Sequence, residues 1–149
     1  MINFIKLILK LKFIKNKNKI PENKNIAIFA TEDTEVTIHR GTVTGDMFEV
    51  GSGSILSITL NDVGTTDGKI VIDGASDSVA AEGSIVKVTA GAKFVMTRGV
   101  TLANNVSSNA ASAINNSGEV LIAGGEIKGN VSEKGAVYST GIISLLRDI

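Results

Sequence analysis

The sequence predicts an all-β chain: a right-handed parallel β-helix with three strands per coil, about three to four coils, and incomplete. Three observations point there. Short apolar runs alternate with polar residues at period two, small-residue turns carrying glycine separate them, and matching positions recur every 23–27 residues in the second half.

The repeat shows when four segments are aligned: DMFEVGSGSILSITL (46–60), SIVKVTAGAKFVMT (84–97), SAINNSGEVLIA (112–123) and GAVYSTGIISLL (135–146). Each is an alternating run, a turn, and a second alternating run. Gly53, Gly91, Gly118 and Gly141 mark the turns, 38, 27 and 23 residues apart. Before the glycine the inward candidates are Phe48 and Val50, Val86 and Val88, Ala113 and Asn115, and Ala136 and Tyr138. After it they are Leu56 and Ile58, Phe94 and Met96, Val120 and Ile122, and Ile143 and Leu145. A third run follows in GVTLANN (99–105) and GEIKGN (125–130), and KIVIDG (69–74) plays the same part earlier. No helical period intervenes, which argues against a βαβ fold. An antiparallel sandwich gives each strand its own neighbours, so its positions need not correspond. A β-helix stacks position upon position, so they must.

Composition agrees. A chain of 149 residues fits one domain, and 43% apolar with 20% charged residues is not a disordered composition. Aromatics are only 4% and Trp is absent, as suits a core of stacked aliphatics. There is no cysteine, which excludes a disulfide framework and thiolate metal sites. The formal charge of zero hides an asymmetry. Residues 1–24 carry seven lysines against one glutamate, a net +6, and residues 25–149 carry −6. The division is a basic leader (1–24) and a β-helix segment (25–149). The body has no basic surface interleaved with aromatics, so nucleic acid is not an expected partner.

The leader MINFIKLILKLKFIKNKNK (1–19) reads three ways: a degraded export signal, a cap over the first coil, or translated upstream sequence outside the fold. Lys6, Lys10 and Lys12 break the apolar run that a signal peptide needs, and no small-residue cleavage site follows. It is too short in apolar residues for a membrane span.

Several elements resemble those of adhesin-like and polymorphic membrane protein-type surface proteins, whose pectin-lyase-like β-helix repeats carry GGA[I/V/L] and FxxN elements. KGAVY (134–138) is close to the first, LANN (102–105) and IKGN (127–130) are relaxed forms of the second, and residues 34–60 resemble the opening coils of such proteins. Leu102 and Ile127 stand where the family has phenylalanine. The resemblance implies a non-catalytic, adhesive or structural segment, secreted or at the cell surface. Its partners would be host or cell-surface macromolecules or glycans, with coil-end stacking on another chain open to it. The alternatives are a carbohydrate-active or carbohydrate-binding protein of the pectate-lyase-like fold, or a truncated fragment without independent function.

No catalytic, cofactor-binding or metal-ligating residue is assigned, and no enzyme activity is expected. His39 is the only histidine and has no neighbours at ligand spacing, so it reads as an exposed strand residue. Arg40 beside it reads as a solvated or paired end-of-strand charge. Asp62, Asp67, Asp73 and Asp77 are the candidates for a calcium loop or the paired carboxylates of a glycosidase, and they read as turn carboxylates. Asn105, Asn115 and Asn130 match the N-glycosylation pattern. Asn105 and Asn130 are also expected to stack at one corner, their amides bonding turn backbone and each other.

Overall fold

The alternating runs form strands, and the chain lays these strands into three sheets visited in rotation. The computed structural model describes residues 3–4, 13–14, 18–30, 34–60, 68–77 and 79–146. The first circuit holds β1 (Asn3–Phe4), β2 (Phe13–Ile14) and β3 (Asn18–Ile20). The second holds β4 (Asn25–Ala30), β5 (Glu35–Arg40) and β6 (Phe48–Val50), and the third β7 (Ile55–Leu60), β8 (Lys69–Asp73) and β9 (Val86–Val88). The fourth holds β10 (Lys93–Thr97), β11 (Val100–Ala103) and β12 (Ile114–Asn116). The fifth holds β13 (Glu119–Ala123), β14 (Glu126–Lys128) and β15 (Val137–Ser139), and β16 (Ile142–Leu145) opens a sixth.

The first sheet is ordered β1-β4-β7-β10-β13-β16, the second β2-β5-β8-β11-β14 and the third β3-β6-β9-β12-β15. Every neighbouring pair is parallel. Parallel neighbours need a crossover between them, and here the other two sheets supply it. There is no helix among the described residues. This all-β arrangement of three parallel sheets is consistent with a parallel β-helix. Residues 1–24 contribute β1, β2 and β3, whose backbones pair with β4, β5 and β6. Five circuits and one further strand are therefore present among the described residues, against the three to four coils counted from the repeat.

Register puts like on like. Ile26, Leu56, Phe94, Val120 and Ile143 form one column of the first sheet, and Ile28, Ile58, Met96, Ile122 and Leu145 the next inward one. Val36, Ile70 and Val100, then Ile38, Ile72, Leu102 and Ile127, do the same in the second sheet. Leu56, Ile58, Ile70, Ile72, Phe94, Met96, Val100, Leu102 and Val120 are buried. Along β16 the columns open to solvent, with Leu145 71% exposed. Outward rows alternate in charge. Glu35 pairs across from Lys69, Glu49 from Lys87 (3.7 Å between charged atoms) and Lys93 from Glu119 (2.8 Å). Pairs open to solvent are worth only about 0–1 kcal/mol each, and of these carboxylates Glu49 is the most covered, at 12% exposed. The pairs oppose a slipped register that would stack like charges.

In the third sheet the structure corrects two assignments by one residue. Val86 aligns with Ile114 and Val137, and Val88 with Asn116 and Ser139. The inward residues are thus Ile114 and Asn116, not Ala113 and Asn115, and Val137 and Ser139, not Ala136 and Tyr138. Ala113 is buried, but at the corner before the strand, while Tyr138 is 44% exposed. The cause is the turn into the first sheet. It spans four residues at 51–54 and 89–92 but two at 117–118 and 140–141, so aligning glycine with glycine shifts the phase. In the four-residue turns Asn23, Gly53 and Gly91 stack in the left-handed region, with φ of 57°, 71° and 77°, which glycine and asparagine tolerate best. In the two-residue turn Asn116, fully buried, replaces the missing length. Its Oδ1 accepts from Gly118 N (2.9 Å), and its Nδ2 donates to Ile142 O (3.0 Å) and Ser139 Oγ (2.9 Å).

A candidate binding cleft at the long-loop corner

The passage from the second sheet to the third carries a loop in every circuit after the first: residues 41–47, 74–85, 104–113 and 129–136. The loops lie on one another. Ala81 bridges to Ser107 and Val106 to Val131, and Ser84 Oγ donates to Ala111 O (2.6 Å). Loops this long would leave backbone groups unsatisfied beneath them. Polar side chains directed inward from the strand ends fill that need.

Arg40 is the first of these. Alternation from Ile38 turns it inward, and it is 1% exposed, so of the two expectations, solvated or paired, the solvated one fails. Its Nη1 donates to Val43 O (2.8 Å) and to Gly45 O, and its Nη2 donates to Ser84 O (3.2 Å). Burial pushes its pKa down to about 10, while the Asp46 carboxylate opposes the shift. The guanidinium therefore stays charged at neutral pH. Asp46 Oδ1 in turn accepts from Ser84 N (2.9 Å), tying the loops of the second and third circuits together.

Asn105 does the same two circuits on. It is fully buried, and its Nδ2 donates to Gly83 O (2.9 Å) and Ser112 O (2.6 Å). Asn130 stacks on it. Its Oδ1 accepts from the Asn105 backbone N–H (3.0 Å) and its Nδ2 donates to Leu102 O (2.8 Å) and Lys128 O (3.0 Å). The two asparagines share a corner as expected, but both amides bond backbone rather than each other. Burial also closes Asn105 as a glycosylation acceptor in the folded chain. Asn105→Ala forfeits two bonds to buried carbonyls, partly offset because Oδ1 has no partner among the described residues. The expected loss is about 2 kcal/mol, or about 4–8 °C in melting temperature for a domain of this size. Asn130→Ala, half-buried, should lose less. Thermal melts followed by circular dichroism decide this, and equal melting of wild type and Asn105→Ala would remove Asn105 from the corner's support.

Outside this layer lies the cleft. His39 and Asp73 face outward on neighbouring strands in direct register. The His39 Nδ1–H donates to Asp73 Oδ2 (2.9 Å), so His39 is half-buried and paired rather than an isolated exposed residue. Asp73 Oδ1 accepts from Ala75 N (2.9 Å), which fixes the start of the next loop. Ala75 is held there at φ 53°, a conformation that costs an alanine energy. Ala75→Gly should accordingly stabilise the chain by about 0.5–1 kcal/mol if relief of that strain exceeds the extra entropy of glycine in the unfolded state. A lowered melting temperature would count against the strain.

The cleft has a volume of about 890 Å³ and runs from His39–Thr42 and Thr44 on one loop to Ala75–Asp77, Val79 and Ala80 on the next, with Asn104 at its end. It gathers His39, Asp73 and Asp77. Asp62 and Asp67 lie outside the described residues. Among the described residues no group of three or more His, Cys, Asp or Glu could hold a metal ion. No described helix is long and apolar enough to cross a membrane. GSGS (51–54) is a turn, with Ser54 Oγ accepting from Lys24 N (2.9 Å). Sequence reasoning missed Arg40 and Asn116 as interior residues, although counting by twos from Ile38 and Ile114 would have placed both. Compared with known proteins, the chain matches no family model, no curated protein and no solved structure.

Proposed function

We propose that this chain is a segment of a right-handed parallel β-helix that serves as a non-catalytic binding scaffold, secreted or displayed at the cell surface, with an adhesive or structural role. The observation that carries the reading is the unequal build of the corners. The turns from the third sheet back to the first are two or four residues long, whereas the passage from the second sheet to the third holds 7, 12, 10 and 8 residues in the second to fifth circuits. Short turns make a stiff stack, and loops stacked along one edge make a continuous ridge that can vary without disturbing the core. Handedness follows from the strong preference of parallel crossovers for the right-handed sense. The surface location rests on the resemblance of KGAVY, LANN and IKGN to adhesin-like repeats. Leu102 and Ile127 stack in register, so the two asparagine elements recur at one position of successive circuits.

Antibodies against the chain test the location: staining of intact source cells, or recovery of the protein from the medium, is the expected result. Staining only after permeabilisation would sink it. A panel of polysaccharides incubated with the purified chain tests the non-catalytic reading, and release of reducing ends would replace it with a carbohydrate-active one.

A further inference from the structure

We propose that the cleft beside the His39–Asp73 pair binds an organic cation on an aliphatic stem, an alkylammonium or guanidinium group of the lysine or arginine type. This deepens the scaffold reading and rests on it. At about 890 Å³ the cleft falls in the range of small-ligand sites, roughly 300–1,000 Å³. Its chemistry then selects the ligand.

The carboxylates lining the cleft are Asp73 and Asp77, beside the His39 imidazole and above the buried Arg40. Asp73 is held by two hydrogen bonds, from His39 and from Ala75 N, so its orientation is set before any ligand arrives. A preset acceptor avoids the cost of ordering on binding. Asp77 is exposed and makes no hydrogen bond or ion pair among the described residues. Arg40 lies under the cleft, but its guanidinium is buried against the Val43, Gly45 and Ser84 carbonyls and faces Asp46. An anion would thus meet two carboxylates, and the guanidinium of Arg40 is already engaged by three backbone carbonyls. A neutral sugar would find no Phe, Tyr or Trp face among the described lining residues. Val79 and Ala80 offer an apolar wall for methylene groups, and the Ser76 hydroxyl can accept a further N–H.

The test is a titration of the full ¹⁵N-labelled chain, followed by amide shifts. The probes are Nα-acetyl-lysinamide, Nα-acetyl-argininamide, cadaverine, and the neutral isostere Nα-acetyl-norleucinamide. Shifts confined to residues 39–45 and 73–80 are expected with the cations and not with the isostere. Asp77→Asn should weaken binding about tenfold, the loss of one charged contact of roughly 1.4 kcal/mol, with the melting temperature unchanged because the residue is exposed. Tighter binding of the acetylated amino acids than of cadaverine assigns the cation to a protein side chain, and the reverse assigns it to a free amine. Equal binding of the isostere, an unaltered affinity in Asp77→Asn, or competition by a neutral oligosaccharide alone would overturn the proposal. The two readings fail separately. Absence of cation binding leaves the scaffold standing, whereas release of reducing ends removes the scaffold reading whatever the titration shows.

Discussion

Replacing Arg40 by alanine is expected to cost at least about 3 kcal/mol, which for a domain of this size lowers the melting temperature by about 10 °C. The substitution has three effects at one place. It removes the donors to the Val43 and Gly45 carbonyls, it leaves Asp46 without the guanidinium it faces, and it opens a void under the loop at 41–47. Ser84 O suffers less, because Met47 N also donates to it (3.0 Å). Relief of the desolvation that depresses the Arg40 pKa works in the opposite direction, and this sets the discriminating comparison. Arg40→Met restores volume without donors or charge. If lost packing dominates, Arg40→Met should recover most of the stability. If lost hydrogen bonds dominate, it should melt close to Arg40→Ala. An Arg40→Ala protein that melts within about 2 °C of wild type would mean that the loops hold themselves, contrary to the corner described above.

Gly118→Ala should be as damaging for a different reason. A Cβ at Gly118 would stand 2.4 Å from Ala92 O and 2.5 Å from Thr89 O, both backbone atoms of the circuit beneath. Neither can move without pulling apart the pairing of β10 with β13, so a loss of about 3 kcal/mol or a failure to fold is expected, at the upper end of overpacking costs. Gly45 supplies the control within the same chain. A Cβ there meets nothing within 4 Å, and its φ is not left-handed, so Gly45→Ala should be neutral or slightly stabilising. If both variants behaved alike, backbone proximity between circuits would not be what demands glycine at position 118.

Much of the fold was legible because a stacked core forces periodicity into the sequence. Leu56 and Ile58, Phe94 and Met96, and Val86 and Val88 stand where counting by twos placed them. The failures share a cause. Tyr138 and Asn115 were turned inward because glycine was treated as the landmark, whereas the landmark the backbone obeys is the strand register, which tolerates a change in turn length if a side chain such as Asn116 fills the gap. Arg40 was expected at a strand end, solvated or paired, and its burial was missed because charge was weighed above period. The three carbonyls that hold it belong to Val43, Gly45 and Ser84. No local pattern near position 40 announces a partner 44 residues away. The pairing of His39 with Asp73 was hidden in the same way: the two are 34 residues apart and meet only because β5 and β8 lie side by side.

The rotation of the chain through three sheets also has a mechanical consequence. Strands in such a stack run across the long axis, so tension applied between the two ends loads the ladder bonds of the outermost circuit in peeling, a few at a time, rather than all in shear. Circuits begin at Asn3, Asn25, Ile55, Lys93, Glu119 and Ile142. Each one that detaches would therefore release between 22 and 38 residues, about 75–130 Å of slack at roughly 3.4 Å per residue. Because neighbouring circuits contact only each other, the rest of the stack would stay closed while one opens. A stack built this way yields in instalments, lengthening under load while the circuits still closed keep their loops in place.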